Sequence, residues 1–355
     1  MYTSTKKSAF GRNEYRMYRL KLLLYSLCFI FILTGCTTTP NPTPESTPGR
    51  QEVPPMVFNS DREMGNPADY TTPKNPVAEG ADPFIFMHDG IYYLYSTNAV
   101  NKGYLVYTST DMQNWESKGL CLKKEDVQGD FGFWAPEVMY YNGKFYMVYT
   151  AEEHLGIAVA DSPLGPFKQE NKAFLSEEKS IDGHFFLDED GSIYLYFVMF
   201  TGGNIIYGAK MNEDLTGYEA NTVTKLLEAQ YSWERVEGRI MEGPSMLKRD
   251  GVYYLTYSAN HYQSQDYAVG YATSTQPLSS FRKYRENPIL HGNGDIVGTG
   301  HHSFTTSTDG KQIYIVYHRH FSTTEVHPRL TCVDKVYFSK GEAGNPDILV
   351  VDGPT

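Results

Sequence analysis

The stretch Val236–Asn260, VEGRIMEGPSMLKRDGVYYLTYSAN, contains the plan of the whole chain. Glu242 stands beside Gly243-Pro244 at the head of a short apolar run, and Asp250-Gly251 leads back into the aromatic run VYYLTYSA. Two such runs around Asp-Gly predict an antiparallel hairpin, because the favoured short turns need positive φ at their central residues. The plan recurs at Asp89-Gly90, Asn142-Gly143, Asp190-Gly191 and Asp309-Gly310, each followed by a similar strand: IYYLYST, KFYMVYTA, SIYLYFV and QIYIVYH. The period is about 50 to 60 residues, the range of a repeat architecture.

A third strand usually follows and closes in a polar turn, as in YLVYTSTDMQNW, GIAVADSPLGPF, IIYGAKMNEDL and AVGYATSTQPL. Three to four short strands per unit, five units and no helical period predict an all-β fold, a five-bladed β-propeller over residues 75–355. A β-sandwich built from the same hairpins would leave the five equal repeats unexplained. In a propeller the first strand of each blade lines the central channel, so the five strand heads converge on one face. The residues expected there, at equivalent positions, are Asp82 in ADPFIF, Trp134 in FWAPEV, Asp182 in SIDGHFF, Glu242 in MEGPSM and His301 in GHHSF.

Three carboxylates in one pocket repel one another, so one resists ionisation while others stay charged. Cleavage of a glycosidic bond needs that division: an acid to protonate the leaving oxygen and a carboxylate to activate water or attack. Taken singly, Asp82 before Pro83 and Glu242 before Gly243-Pro244 also read as strand-entry residues that satisfy turn amides.

The set ADP, WAPEV, SIDGHFF, EGP and GHHSF, in this order and on this repeat, resembles glycoside hydrolase family 43 from about Asn75 to Phe338. The resemblance implies a five-bladed propeller that hydrolyses with inversion. Asp82 would be the general base, Asp182 the group that orients the acid and holds up its pKa, and Glu242 the general acid. It implies that Arg329, in HPRLTCVDKVYF, contacts a sugar hydroxyl, and that Trp134 walls the terminal sugar's subsite. It also implies that His301 contacts the substrate region and helps hold a hydrated calcium ion, although no cofactor is required for the chemistry. Plainer readings remain: Arg329 pairing with an acid, Trp134 packing between blades, and His301 or His302 bonding only within the channel. His184 and Tyr262 are further candidates for the pocket lining. Glu137, after Pro136, has no role in the family pattern. The Asn-Asp-Pro-Asn nucleophile motif of the retaining five-bladed families is absent, Ala81 preceding Asp82 instead.

The implied activity is removal of terminal pentose, foremost α-L-arabinofuranose, from plant polysaccharide side chains or oligosaccharides. β-D-Xylosidase, endo-arabinanase and a non-catalytic glycan-binding protein are the alternatives. Of these, the non-catalytic reading predicts loss of an acid, and all three acids are present.

The amino terminus reads as an address. Basic residues lead into the apolar run 22–33, too short to span a bilayer comfortably, and Leu33-Thr34-Gly35-Cys36 resembles a bacterial lipobox. Residues 1–35 are therefore expected to be a lipoprotein signal peptide, with Met17 as a second candidate start, and Cys36 the acylated residue. A Pro/Thr-rich tether is expected over 36–74, making the protein exported and anchored to a membrane by lipid alone. The formal net charge is −11, and six Lys/Arg against one acid precede Cys36, so the remainder is near −16. Such a surface repels phosphate backbones and argues against nucleic acid as a partner. Cys121 and Cys332, far apart in sequence, make neither a disulfide framework nor a metal-ligand spacing.

Overall fold

The structure, a computed structural model, describes residues 56–355. The signal peptide, Cys36 and the first part of the tether lie outside the described residues.

The predicted hairpins assemble into five sheets. A short strand β1 (Ala78–Glu79) comes first. Blade 1 follows as β2 (Ala81–His88), β3 (Ile91–Thr97), β4 (Gly103–Ser109) and β5 (Glu116–Lys123). Blade 2 has β6 (Trp134–Tyr141), β7 (Lys144–Ala151) and β8 (His154–Ala160). Blade 3 has β9 (Ser180–Leu187), β10 (Ile193–Phe200), β11 (Asn204–Lys210) and β12 (Thr224–Leu227). Blade 4 has β13 (Met241–Arg249), β14 (Val252–Ala259), β15 (Ala268–Ser274) and β16 (Arg282–Lys283). Blade 5 has β17 (Gly300–Thr306), β18 (Ile313–Arg319) and β19 (Leu330–Ser339). Two pieces from opposite ends of the described chain complete blade 5: β1 pairs with β19 at Thr331 and Leu330, and β20 (Ile348–Asp352) pairs further along it. The start of the propeller is thus stitched into its last blade, which closes the ring.

The high tyrosine content has a structural use. Tyr95, Tyr149, Tyr196, Tyr257 and Tyr317, one from each second strand, are wholly buried. Each hydroxyl donates to a partner, the oxygens of Pro163, Gln128, Pro277, Glu234 and Asp334 respectively. A ring that fills the space between blades while its hydroxyl stays satisfied combines apolar burial with no unpaired polar atom. Cys121 and Cys332 are buried free thiols, not bridged to each other.

Two expectations need correction. Positive φ at both turn residues holds for Asp89-Gly90, Asn142-Gly143 and Asp250-Gly251, but Asp190 and Asp309 do not adopt it. In those two longer turns the aspartate side chain accepts a backbone amide two residues on, Asp190 from Ser192 and Asp309 from Lys311. That stabilises a turn without the left-handed conformation.

The second correction concerns residues 56–74, assigned above to the tether, which pack on the propeller. Val57 and Phe58 are buried at 2% and 0% exposure, Phe58 N–H donates to Lys248 O at 2.8 Å and Lys248 N–H to Met56 O at 3.0 Å. Val57 joins apolar residues of blades 3 and 4, and Phe58 those of blades 4 and 5. Composition suggested a tether because the apolar anchors there are few. Phe58→Ala should therefore destabilise the protein by about 3–5 kcal/mol in urea unfolding, whereas an unchanged midpoint would place this segment outside the cooperative unit.

Candidate active site

The site is built from one backbone device used five times. In each blade the first strand carries a bulge against the second: the pairing jumps from Ala81↔Thr97 to Phe84↔Tyr95 in blade 1, and from Trp134↔Thr150 to Glu137↔Val148 in blade 2. Corresponding jumps occur after Ile181, Glu242 and Gly300. The residue after each of these takes the left-handed conformation: Asp82 (φ 50°), Ala135 (42°), Asp182 (57°), Gly243 (54°) and His301 (43°). The bulge turns the strand and re-aims its side chain.

The five expected positions are therefore not strictly equivalent. Asp82, Asp182 and His301 occupy the bulge, whereas Trp134 and Glu242 precede it by one residue. Pro83, Pro136 and Pro244 give the register from sequence, since they align the triplets Ala-Asp-Pro, Trp-Ala-Pro and Glu-Gly-Pro. An offset of one residue means that Glu242 enters the pocket from a different backbone direction than the two aspartates.

Asp82, Asp182 and Glu242 are all buried, at 7–9% exposure, but their surroundings differ. Asp82 Oδ1 accepts from Arg329 Nη1 at 2.8 Å and lies 3.4 Å from Nδ1 of both His301 and His318. Burial pushes its pKa up, yet Arg329 and then the two histidines outweigh it and hold Asp82 well below the usual carboxylate range. Among the described residues Glu242 has no cation in contact, Arg329 acting on it only from a distance. Tyr267 Oη donates to its Oε1 at 2.9 Å and Asn204 Nδ2 to its Oε2 at 3.0 Å. Burial raises its pKa to about 7 against those two bonds, with the charge on Asp82 adding to the rise. Asp182 accepts the Gly243 amide at 3.1 Å, and burial, then the charges on Glu242 and Asp82, push it upward. One pocket thus holds a carboxylate kept charged and a carboxyl kept protonated to neutral pH, the pairing that acid–base hydrolysis requires.

His301 lies between the aspartates, its Nδ1 at 3.4 Å from Asp82 and 3.9 Å from Asp182. It stacks on His318, which stacks on Tyr267. Burial lowers the pKa of His301, and takes that of His318 to about 3. Arg329 pairs with Asp82 and lies 4.6 Å from the centre of the Tyr262 ring; its buried Nε has no partner among the described residues. Trp134 is partly exposed and packs against the apolar cluster of Ile181 and Met241. His184 is buried, with Nδ1 on Glu137 at 2.6 Å and Nε2 accepting the Met246 amide at 3.0 Å.

The calcium expected at His301 is not confirmed among the described residues. His301 Nδ1 faces the carboxylates of Asp82 and Asp182, and no three His, Cys, Asp or Glu side chains among the described residues are arranged to hold a metal, so an ion there would take most of its ligands from water. The buried ring nitrogen without a partner is instead Nδ1 of His302.

Three residues of the site escaped the sequence reading: Tyr267, Asn204 and His318. His318 could have been found, because in IYIVYH it holds the second-strand position that Thr97, Thr150 and Ser258 hold in other repeats. Tyr267 and Asn204 enter from the starts of third strands, outside the repeating motif.

Residues 73–343 match the family described as glycosyl hydrolases family 43. A crystal structure of an endo-1,4-beta-xylanase from Bacteroides thetaiotaomicron superposes with TM-score 0.74 at 40% identity, covering 80% of this chain and 97% of that one. A beta-D-galactofuranosidase from Aspergillus niger is 29% identical over 79% of this chain and 86% of its own length. An extracellular exo-alpha-(1->5)-L-arabinofuranosidase from Streptomyces avermitilis is 28% identical over 82% of this chain and 68% of its own. A five-bladed propeller with carboxyl groups held in opposite ionisation states defines a glycoside hydrolase. The chain belongs to glycosyl hydrolases family 43.

Tyr267→Phe removes a donor that favours charged Glu242, so the Glu242 pKa should rise by about one unit. Carboxyl carbon NMR titration reads this directly, and an unmoved Glu242 resonance would show that the hydroxyl is not its partner.

Proposed function

We propose that this enzyme removes terminal α-L-arabinofuranose from plant polysaccharide side chains or oligosaccharides, with Asp82 as general base, Glu242 as general acid and Asp182 as the group that orients Glu242. The observation that carries the roles is the contrast between Asp82 against Arg329 and Glu242 against neutral donors only. Asp82, held charged, draws a proton from a water molecule. Glu242, held protonated, gives its proton to the leaving glycosidic oxygen. Attack by water opposite the leaving group inverts the anomeric centre. Asp82 is also gripped by Arg329, whose unpaired Nε is a donor for a sugar hydroxyl once substrate reorders the pocket. Trp134, partly exposed beside the acids, offers a flat face to the apolar side of a pentose.

The arabinofuranose reading is supported by relatives named exo-alpha-(1->5)-L-arabinofuranosidase in Streptomyces avermitilis. A second reading, a xylose-directed enzyme, is favoured by the 40% identity to the protein named endo-1,4-beta-xylanase. Release of 4-nitrophenol from the α-L-arabinofuranoside and from the β-D-xylopyranoside decides between them, with faster turnover of the arabinofuranoside expected. Absence of turnover on both, and on arabinan and xylan oligomers, would sink both readings.

The roles of Asp82 and Glu242 separate by leaving group. Removing a general acid or base slows hydrolysis by roughly a hundredfold to ten-thousandfold. Asp82→Asn should show that loss on every substrate. Glu242→Gln should show it on oligosaccharides and much less on 4-nitrophenyl glycosides, whose leaving group needs little protonation. Equal losses on both substrate types in Glu242→Gln would displace Glu242 from the acid role. In the wild type, hydrolysis of oligosaccharides should decline as pH rises through about 7, where Glu242 loses its proton.

Export and lipid anchoring at Cys36 are part of the same proposal, supported by the basic start, the apolar run and Leu33-Thr34-Gly35-Cys36. Among the described residues no helix is long and apolar enough to cross a membrane. In a bacterial host, labelled palmitate should enter the wild-type protein and not Cys36→Ser; labelling of both would remove Cys36 as the anchor.

A further inference from the structure

The bulged amides are satisfied by a repeated bond to the preceding blade. Ala135 N–H donates to Thr97 Oγ1 at 2.8 Å, Asp182 N–H to Thr150 Oγ1 at 3.2 Å, His301 N–H to Ser258 Oγ at 2.8 Å and Asp82 N–H to His318 Nδ1 at 3.2 Å. The acceptor always holds one ladder position, opposite the residue before its own blade's bulge: Thr97 faces Ala81, Thr150 faces Trp134, Ser258 faces Glu242 and His318 faces Gly300. In blade 3 that position is Val198, opposite Ile181 and wholly buried. Valine has the shape of threonine and no acceptor. The amide that a hydroxyl at 198 would serve, Gly243 N–H, donates to Asp182 Oδ2 instead, at 3.1 Å.

We propose that Val198 is a positioning residue of the active site: by withholding an acceptor from the Gly243 amide, it commits the Asp182 carboxylate to that amide and fixes it in place beside Glu242. The inference rests on the roles proposed above for Asp182 and Glu242. The charged and titratable groups facing Asp182 are Glu242 from β13, Asp82 from β2, Glu137 from β6, His301 from β17 and Tyr267 just before β15, with Arg329, just before β19, behind Asp82. Among the described residues, the Gly243 amide is the hydrogen-bond donor on its carboxylate. Burial and the charges on Glu242 and Asp82 push Asp182 upward, and the fixed Gly243 donor works against that rise, which in two interacting carboxyls favours the shared proton on Glu242, the group that must deliver it.

Val198→Thr tests this with little change of shape. The new hydroxyl should take the Gly243 amide and release Asp182. The basic limb of the kcat/KM profile on arabino-oligosaccharides should then rise by about one pH unit, and kcat should fall about tenfold with KM within about twofold. Val198→Ser, with the hydroxyl in a smaller frame, carries the same expectation should the threonine variant fail to fold. Val198→Ala, which has no acceptor, should keep the limb where it is. An unmoved limb in both hydroxyl variants overturns the inference, as does an equal shift in Val198→Ala, which would mark a packing effect. If Glu242→Gln is inactive on oligosaccharides while Val198→Thr behaves as wild type, only the role of Val198 is lost. A fully active Glu242→Gln would remove the assignment of roles beneath it.

Discussion

The site depends on holding a left-handed residue in the first strand of every blade. For residues other than glycine that conformation costs roughly 1–3 kcal/mol, and here it is adopted by Asp82, Ala135, Asp182 and His301. It persists because the bulged amide of each blade is bonded to a side chain of the blade before it, so the strain is held by the closed ring and not by any single sheet. Three of the residues so presented, Asp82, Asp182 and His301, meet in the pocket. Glu242 joins them from the neighbouring position in blade 4, where the bulged residue is Gly243. A propeller is suited to this task because its closure fixes five such positions against each other at once.

Opposite ionisation states then follow from what each carboxyl meets. Asp82 and Glu242 are buried alike, so burial cannot separate them. Arg329 does, by contacting Asp82 at 2.8 Å and leaving Glu242 to the neutral groups of Tyr267 and Asn204. The column of Tyr267, His318 and His301 runs between these environments. Burial lowers the pKa of both His318 and His301, whose Nδ1 atoms lie 3.4 Å from the Asp82 carboxylate.

The fold was legible because the turn dipeptides and the aromatic second strands repeat, and the tyrosines that make those strands recognisable also fill the gaps between blades. The three acids were legible as strand heads. The exact register was not, because a bulge shifts pairing by one residue and Glu242 falls on the other side of it. Aligning Pro83, Pro136 and Pro244 carries that information. Tyr267 and Asn204 were not legible, since they reach Glu242 through the fold and from outside the repeat. The expected length of the tether failed on two residues, Val57 and Phe58, whose burial composition averages away. The calcium expectation at His301 came from resemblance alone, and no cluster of three metal-ligating side chains among the described residues confirms it.

Inversion joins the fold, the separation of acid from base and the family membership in one observable. Proton NMR of the sugar first released from an α-L-arabinofuranosyl oligosaccharide, recorded before mutarotation, reads the anomer directly. The β-anomer of arabinofuranose appearing first is the predicted result, and the α-anomer appearing first would contradict a mechanism in which Asp82 activates water opposite Glu242.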